Sequence, residues 1–228
     1  MKPWVLIDRE EGPKGDALEL VRRDTELAIR THGRLLMSSR QHGSEEAMAD
    51  VLNVQAAALS RARGPRRILV GGLGLGYTLR AVLDRLRPGD AVTVAELSPA
   101  IVAWNRGVLA ELAARPLEDP RVRLIVADVG QVLRTEQAAF DAVLLDVDNG
   151  PEALSTAGNR RLYDTAGLAW LRDALRPAGT AVVWSAGEDP SFEARLRRAG
   201  FTVSRKPVSA RNCRGGTSHV LFVATRAA

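Results

Sequence analysis

Sulfur chemistry is nearly absent from this sequence, which offers one cysteine, Cys213, and three methionines. A lone thiol makes no intramolecular disulfide and no cysteine-based metal cluster, and it fits a reducing compartment. Histidine is equally scarce: His32, His42 and His219 stand too far apart in the chain to show a metal-ligand spacing. No apolar run approaches the length of a membrane span. The opening MKPWVLIDRE has only the short apolar run Trp4 to Ile7 and no small-residue cleavage pattern. These absences predict a soluble, cytoplasmic protein without a membrane partner or a resident metal.

Acid is missing over one long stretch. From residue 194 onward there is no Asp or Glu, while eight Lys and Arg fall there, so the net charge of +5 conceals a remainder with 24 basic and 27 acidic residues. A basic segment of this kind can meet RNA or an anionic partner. Neither interleaved aromatics nor an RNA motif accompanies these arginines, so they are read as solvated surface and nucleic acid is disfavoured as a partner.

What the sequence does contain is an alternation of strands and helices. Its 228 residues can bury the core of one domain plus a small appendage. Residues 1–43 hold two strand-like segments, WVLID and LELVRRDTELAIRTHGRLLM, joined by the turn-prone EGPKGD, and predict a small β region. Residues 44–65 predict a connecting helix and linker: Ser44 as cap, Glu45 and Glu46 at the positive end of the dipole, Met48, Val51, Leu52 and Leu59 on one face, then RARGPRR. Over 66–228 the strands are RRILVGG, AVTVAE, RVRLIVAD, FDAVLLD and TAVVWSA, with FTVSRKP and SHVLFVAT as a closing pair. Between them, Leu79, Val82, Leu83 and Leu86 mark one helix. Ser98-Pro99 caps another, with Ile101, Val102, Val108, Leu109 and Leu112 as its buried side, and further helices are expected around 129–138, 160–176 and 190–199. This pattern predicts an α/β, Rossmann-like fold with a mostly parallel seven-stranded sheet and helices on both faces.

In such sheets ligands bind beyond the carboxyl ends of the strands. The first strand ends in GGLGLG, where Gly72, Gly74 and Gly76 let the chain turn sharply and approach a ligand closely. Their G-x-G-x-G spacing departs from the dinucleotide register and disfavours NAD. The second strand ends in Glu96, placed to accept both ribose hydroxyls. The third ends in Asp128, which either caps the following helix or meets an adenine amino group, with Val129 beside it as an apolar contact. The fourth ends in LLDVDNGPE, with Asp146 and Asp148 one residue apart. Asp146 and Asn149 match part of a metal-dependent O-methyltransferase pattern, but WSAGED at the fifth strand end supplies no companion ligand motif. Ser185 has no nucleophile elbow and no paired histidine motif, which argues against a hydrolase.

Four segments, ILVGGLGLGYTLR, VTVAELSPAIVAWNR, FDAVLLDVDNGPEAL and LRDALRPAG, resemble the spermidine/spermine synthase family in order and spacing. That resemblance implies the class I S-adenosylmethionine-dependent methyltransferase fold for residues 66–228 and a shortened version of the family's β domain before it. It implies transfer of an aminopropyl group from decarboxylated S-adenosylmethionine, as co-substrate, to a small-molecule amine, without a metal. Asp146 matches the family acid that helps deprotonate and orient the attacking amine. Asp148 matches the second acid of the loop approximately, because D-x-x-D-P-x-G-P is here the shorter D-V-D-N-G-P. The family's Tyr-His-Glu gate falls on Ser44, Glu45 and Glu46, with His42 nearby, and the expected aromatic pair falls on Gly167 and Leu168, flanked by Tyr163 and Trp170. Asp148, Tyr163, His42 and Glu46 are therefore the expected acceptor-binding residues. A homodimer is a further implication. The alternatives are a methyltransferase using S-adenosylmethionine itself on a small molecule or nucleic acid, and a non-catalytic nucleoside-binding protein.

Overall fold

The computed structural model of the protein describes residues 2–12, 15, 17–59, 64–147, 161–209 and 218–228. Its first element is a four-stranded antiparallel sheet, β1 (Val5–Glu11), β2 (Ala17–Arg23), β3 (Glu26–Thr31) and β4 (Arg34–Ser38), paired in chain order. The segment LELVRRDTELAIRTHGRLLM, expected as one strand-like run, is thus three strands. Its turns are the two-residue links Asp24-Thr25 and His32-Gly33, with left-handed φ at Asp24 (55°), His32 (48°) and Gly33 (71°). Left-handed residues at the centre of a two-residue link match the twist of a hairpin. Leu18, Leu20, Leu27 and Ile29 face inward from β2 and β3 and join the main hydrophobic core.

Helix α1 (Gly43–Leu59) follows, starting one residue ahead of the expected Ser44 cap. The Glu46 amide donates to the His42 carbonyl at 3.3 Å, so the first turn is tied back to residue 42. Leu59 was expected on the buried face; its side chain lies outside the described residues.

The second sheet has seven strands: β5 (Arg67–Gly71), β6 (Ala91–Glu96), β7 (Val122–Val126), β8 (Phe140–Leu145), β9 (Leu175–Ser185), β10 (Phe201–Ser209) and β11 (Ser218–Arg226). Their spatial order is β10-β11-β9-β8-β5-β6-β7. β5 pairs in parallel with β6 on one side and β8 on the other, which puts the topological switch, and the crevice that goes with it, at the carboxyl ends of β5 and β8. β11 runs antiparallel to both β9 and β10. Alternate residues serve opposite faces, as the two-residue repeat of a strand requires. Ile68, Val70, Ala142, Leu144 and Val182 pack with α1, α2 (Tyr77–Leu83) and α3 (Pro99–Arg106). Leu69, Val143, Leu145 and Val183 pack with α4 (Val129–Thr135), α5 (Thr165–Ala174) and α6 (Pro190–Arg198). Helix α1 crosses β8, β9, β10 and β11.

Three local expectations are corrected. α3 stops at Arg106 because Gly107 follows it, leaving Val108 48% exposed while Leu109 is buried against the core. Leu175 and Arg176, expected at the end of the helix around 160–176, instead start β9, with Leu175 paired to Phe140 and a register shift before Ala142 meets Thr180. α4 ends at Thr135, where Glu136 takes an extended conformation.

Several of the C-terminal arginines have acid partners. Arg197 meets Glu193 at 2.6 Å, and Arg205 lies 3.2 Å from Glu193 and 3.3 Å from Glu188. The guanidinium of Arg226 donates to backbone carbonyls at the end of α5 and the start of β9. Among the described residues, no helix is long and apolar enough to cross a membrane.

One hydrogen bond pins the first sheet to the second layer. The Trp104 indole N–H donates to the Asp8 carboxylate at 2.7 Å, joining β1 to α3. A bond to a charged acceptor is worth about 2 kcal/mol net. Asp8→Ala is accordingly expected to lower unfolding free energy by about that amount. Urea denaturation followed by tryptophan fluorescence measures it; an unchanged midpoint would show that the contact holds nothing.

Candidate active site

The candidate site is assembled from strand ends and the starts of three helices. After β5 the chain turns through Gly72, Gly74 and Gly76, with φ of 92°, 52° and 87°. At Gly72 the need for glycine is steric as well as conformational: a Cβ would lie 2.4 Å from the Asp146 carbonyl oxygen. At Gly74 a Cβ would come within 3.1 Å of the Met37 sulfur, so the first sheet closes against the turn. The Gly72 amide donates to the Ala95 carbonyl and the Asp146 amide to the Gly71 carbonyl, at 2.8 and 2.9 Å, which extends the ladder into the loop region.

Glu96, 7% exposed, ends β6. Its Oε2 accepts the Leu73 amide at 2.8 Å and its Oε1 the Ser98 amide at 2.7 Å. The carboxylate therefore locks the glycine turn to the next strand end. Ser98 caps α3, with Pro99 in the first turn, as its sequence suggested.

Asp128 does the capping of its two open alternatives. Its Oδ1 accepts the Gly130 and Gln131 amides at 2.7 and 3.3 Å. Val129 is buried beside it, and its methyl group would be 2.8 Å from a Cβ on Gly71.

Beyond β8, the Thr78 hydroxyl donates to Asp146 Oδ2 at 2.6 Å. Thr78 is 2% exposed in the first turn of α2, so it orients the carboxylate from below. The first turn of α1 adds Glu45, whose Oε2 accepts the Ser44 hydroxyl at 2.6 Å. Burial of the carboxyl, then the charge of Asp146, push Glu45 up to about 7, against the Ser44 hydrogen bond, which acts the other way. The Tyr77 phenol is raised as well, by burial and by the charge of Glu45. His42 stacks on Tyr77 with centroids 4.3 Å apart, and its Nδ1 lies 2.9 Å from Glu46 Oε1.

Thus Gly72, Gly74, Gly76, Glu96, Asp128 and Val129 follow one another along the ends of β5, β6 and β7, while His42 and Glu46 pair at the start of α1 and Asp146 stands at the end of β8. Tyr163 does not join them. It is 3% exposed in the core on the other face of the sheet, edge-on to Phe192, and its expected acceptor role is dropped. Asp148 lies outside the described residues. The site also contains groups that the sequence reading did not select: Glu45, Tyr77 and Thr78. The sequence places Glu45 both at the helix dipole and in the Tyr-His-Glu gate, and the second placement is the signal that points to the site. Among the described residues no three His, Cys, Asp or Glu side chains form a metal-binding group.

A family model described as spermine/spermidine synthase domain matches residues 47–199. A polyamine aminopropyltransferase of Mycobacterium tuberculosis is 34% identical over 152 residues, 62% of this chain and 28% of that protein. One from Synechococcus is 30% identical over 126 residues, covering 55% of this chain and 39% of that protein. The matched region is thus well under half the length of these relatives. Among solved structures, spermidine synthase from Thermotoga maritima superposes with a TM-score of 0.74 at 17% identity, covering 97% of this chain and 72% of that one. A spermidine synthase in complex with the transition state analogue AdoDATO gives 0.77 at 17% identity, over 97% and 73%. The matching model extends from α1 through the whole run of strand ends that builds the site, and the chain belongs to the spermine/spermidine synthase family.

Proposed function

We propose that the protein transfers an aminopropyl group from decarboxylated S-adenosylmethionine to a small-molecule amine. The observation that carries this reading is the acid pair of Asp146 at the end of β8, held by Thr78 next to the glycine turn, and Glu45 in the first turn of α1, whose titration the charge of Asp146 raises. Two carboxyls at the acceptor end suit a cationic amine and repel a phosphate, which favours a polyamine-like acceptor over nucleic acid. At the donor end, Gly72 and Gly74 admit the backbone close to the nucleoside, Glu96 stands at the end of β6 where a carboxylate can accept the ribose hydroxyls, and Asp128 and Val129 suit adenine. Alignment of nitrogen, carbon and departing sulfur supplies most of the rate in such a displacement.

The test is calorimetric titration with S-adenosylmethionine and with its decarboxylated form, followed by mass spectrometry of products from a panel of diamines and polyamines. Tighter binding of the decarboxylated donor and a mass gain of one aminopropyl group are expected. A preference for the carboxylated donor with gain of one methyl group would make the protein a methyltransferase. Tight nucleoside binding with no turnover on any amine would make it a nucleoside-binding protein.

A further inference from the structure

The four-stranded sheet has a face that the transferase site does not use. Successive residues of a strand point to opposite sides. Leu20 and Ile29 point into the core, and Met37, opposite Ile29, meets the glycine turn from that same side. On the outer side Arg23 pairs with Glu26, Val21 with Ala28, and Ala28 with Ser38. A cavity of about 350 Å³ opens there, walled by Arg23, Glu26, Arg30, Ser38 and Arg40, with Trp4 and Leu35 as its large apolar side chains. That volume is within the range of small-molecule pockets, about 300–1,000 Å³.

The wall is basic, and its arginines are held in place. Three guanidiniums meet one carboxylate, so the described residues lining the cavity carry a net charge of +2. Glu26 is 6% exposed; it accepts the Ser38 hydroxyl at 2.6 Å and the Arg23 guanidinium at 2.9 Å, and lies 3.4 Å from Arg40 Nε. One buried acid thus positions two guanidiniums and cancels the charge of one. The Trp4 ring supports Arg23 as well, with its centroid 4.3 Å from the guanidinium carbon. Arg30 donates to the Gly33 carbonyl at 2.6 Å, in the link between β3 and β4. A carbonyl engages a donor without cancelling charge, and a guanidinium offers five N–H groups in a planar fork.

We propose that this outer cavity binds the phosphate group of a small phosphate monoester. A dianionic phosphate matches the surplus charge, and it turns three oxygens toward guanidiniums that come from β2, β3 and the chain after β4. Its ester substituent would rest against Trp4 and Leu35. A cationic amine is repelled by the same wall, so the ligand is of another class than the acceptor proposed above. Because the glycine turn packs on the opposite side of the sheet, this ligand and a nucleoside bind independently. The inference does not depend on the transferase reading.

The experiment is calorimetric titration of the full chain, at about pH 8 and low ionic strength, with glycerol 3-phosphate, inorganic phosphate, malonate and glycerol. Glycerol 3-phosphate should bind one site per chain, inorganic phosphate and malonate more weakly, and glycerol not at all. Arg30→Gln and Arg40→Gln should each weaken binding about tenfold, the worth of one charge-assisted hydrogen bond. Arg34→Gln, at an exposed position of β4 outside the cavity, should change it by less than about twofold. Saturation with the product nucleoside should leave the affinity as it was. Should Arg30→Gln fail to fold, Arg40→Gln carries the test, since that side chain is 59% exposed. Absence of saturable binding, full affinity in the cavity variants, or an equal loss in Arg34→Gln overturns the proposal. Displacement by the nucleoside overturns it by placing the phosphate in the transferase site, and tighter binding of malonate overturns it in favour of a dicarboxylate.

Discussion

Replacing Asp146 with asparagine is expected to cut aminopropyl transfer about a thousandfold, within the range that loss of a positioned acid–base group produces. Asparagine keeps the shape of the side chain and an oxygen that can still accept the Thr78 hydroxyl, so the end of β8 is undisturbed. What disappears is the negative charge that holds the ammonium and that helps to push Glu45 upward. The proposed nucleoside end draws on other strands, through Glu96 and Asp128, so affinity for the neutral product nucleoside should stay within about threefold. Single-turnover rates and calorimetry together make the test. Loss of nucleoside binding alongside the rate would move Asp146 to the donor side of the site, and an unchanged rate would remove it from the chemistry.

The second large effect is on stability and binding at once. Gly72→Ala must place a methyl group 2.4 Å from a backbone oxygen while keeping φ at 92°. The left-handed conformation alone costs about 1–2 kcal/mol with a side chain. The clash is with main chain of the neighbouring strand end and cannot be relieved by a rotamer change, so a total loss of about 4 kcal/mol is expected. For a chain of this length that is a fall in melting temperature of roughly 10 °C. Any relief of the clash shifts the Asp146 backbone, so nucleoside binding and transfer should fail together. Gly187→Ala is the matched control: its φ lies outside the left-handed region and nothing lies within 4 Å of the added carbon, so a change within about 0.5 kcal/mol is expected. Equal melting temperatures for the two variants would mean that the β5 turn tolerates a side chain.

Much of this architecture could be read before the structure was described, for identifiable reasons. The central strands are short apolar runs cut off by glycine or acid, as in RRILVGG and AVTVAE, and buried parallel strands require that composition. The features that escaped reading depend on partners. Asp24-Thr25 contains neither Gly nor Pro, so its turn is visible only once β2 and β3 pair. Leu175-Arg176 looks like the end of a helix until Leu175 is found opposite Phe140. Asp128 was ambiguous because the same carboxylate suits a cap and a ligand; its Oδ1 caps α4. Glu45 was the costliest omission: in the sequence it is an ordinary acid of a helix's first turn, and only the approach of α1 to the end of β8 gives it Asp146 as a neighbour. Tyr163 erred the other way, because an aromatic near a motif looks like a ligand contact until its ring is found packed on Phe192.

The two backbone amides bound by Glu96 have a consequence for how this site can change. A residue that only touched the ribose could be exchanged to accept an altered sugar, with the cost confined to affinity. Glu96 also splints Leu73 to Ser98, so any exchange there loosens the glycine turn of the proposed nucleoside site before a new sugar is tried. Redesign, or drift, toward a different donor sugar therefore has to begin at Leu97 or at residues beyond Ser98, where the carboxylate can stay in place while the surface around it is rebuilt.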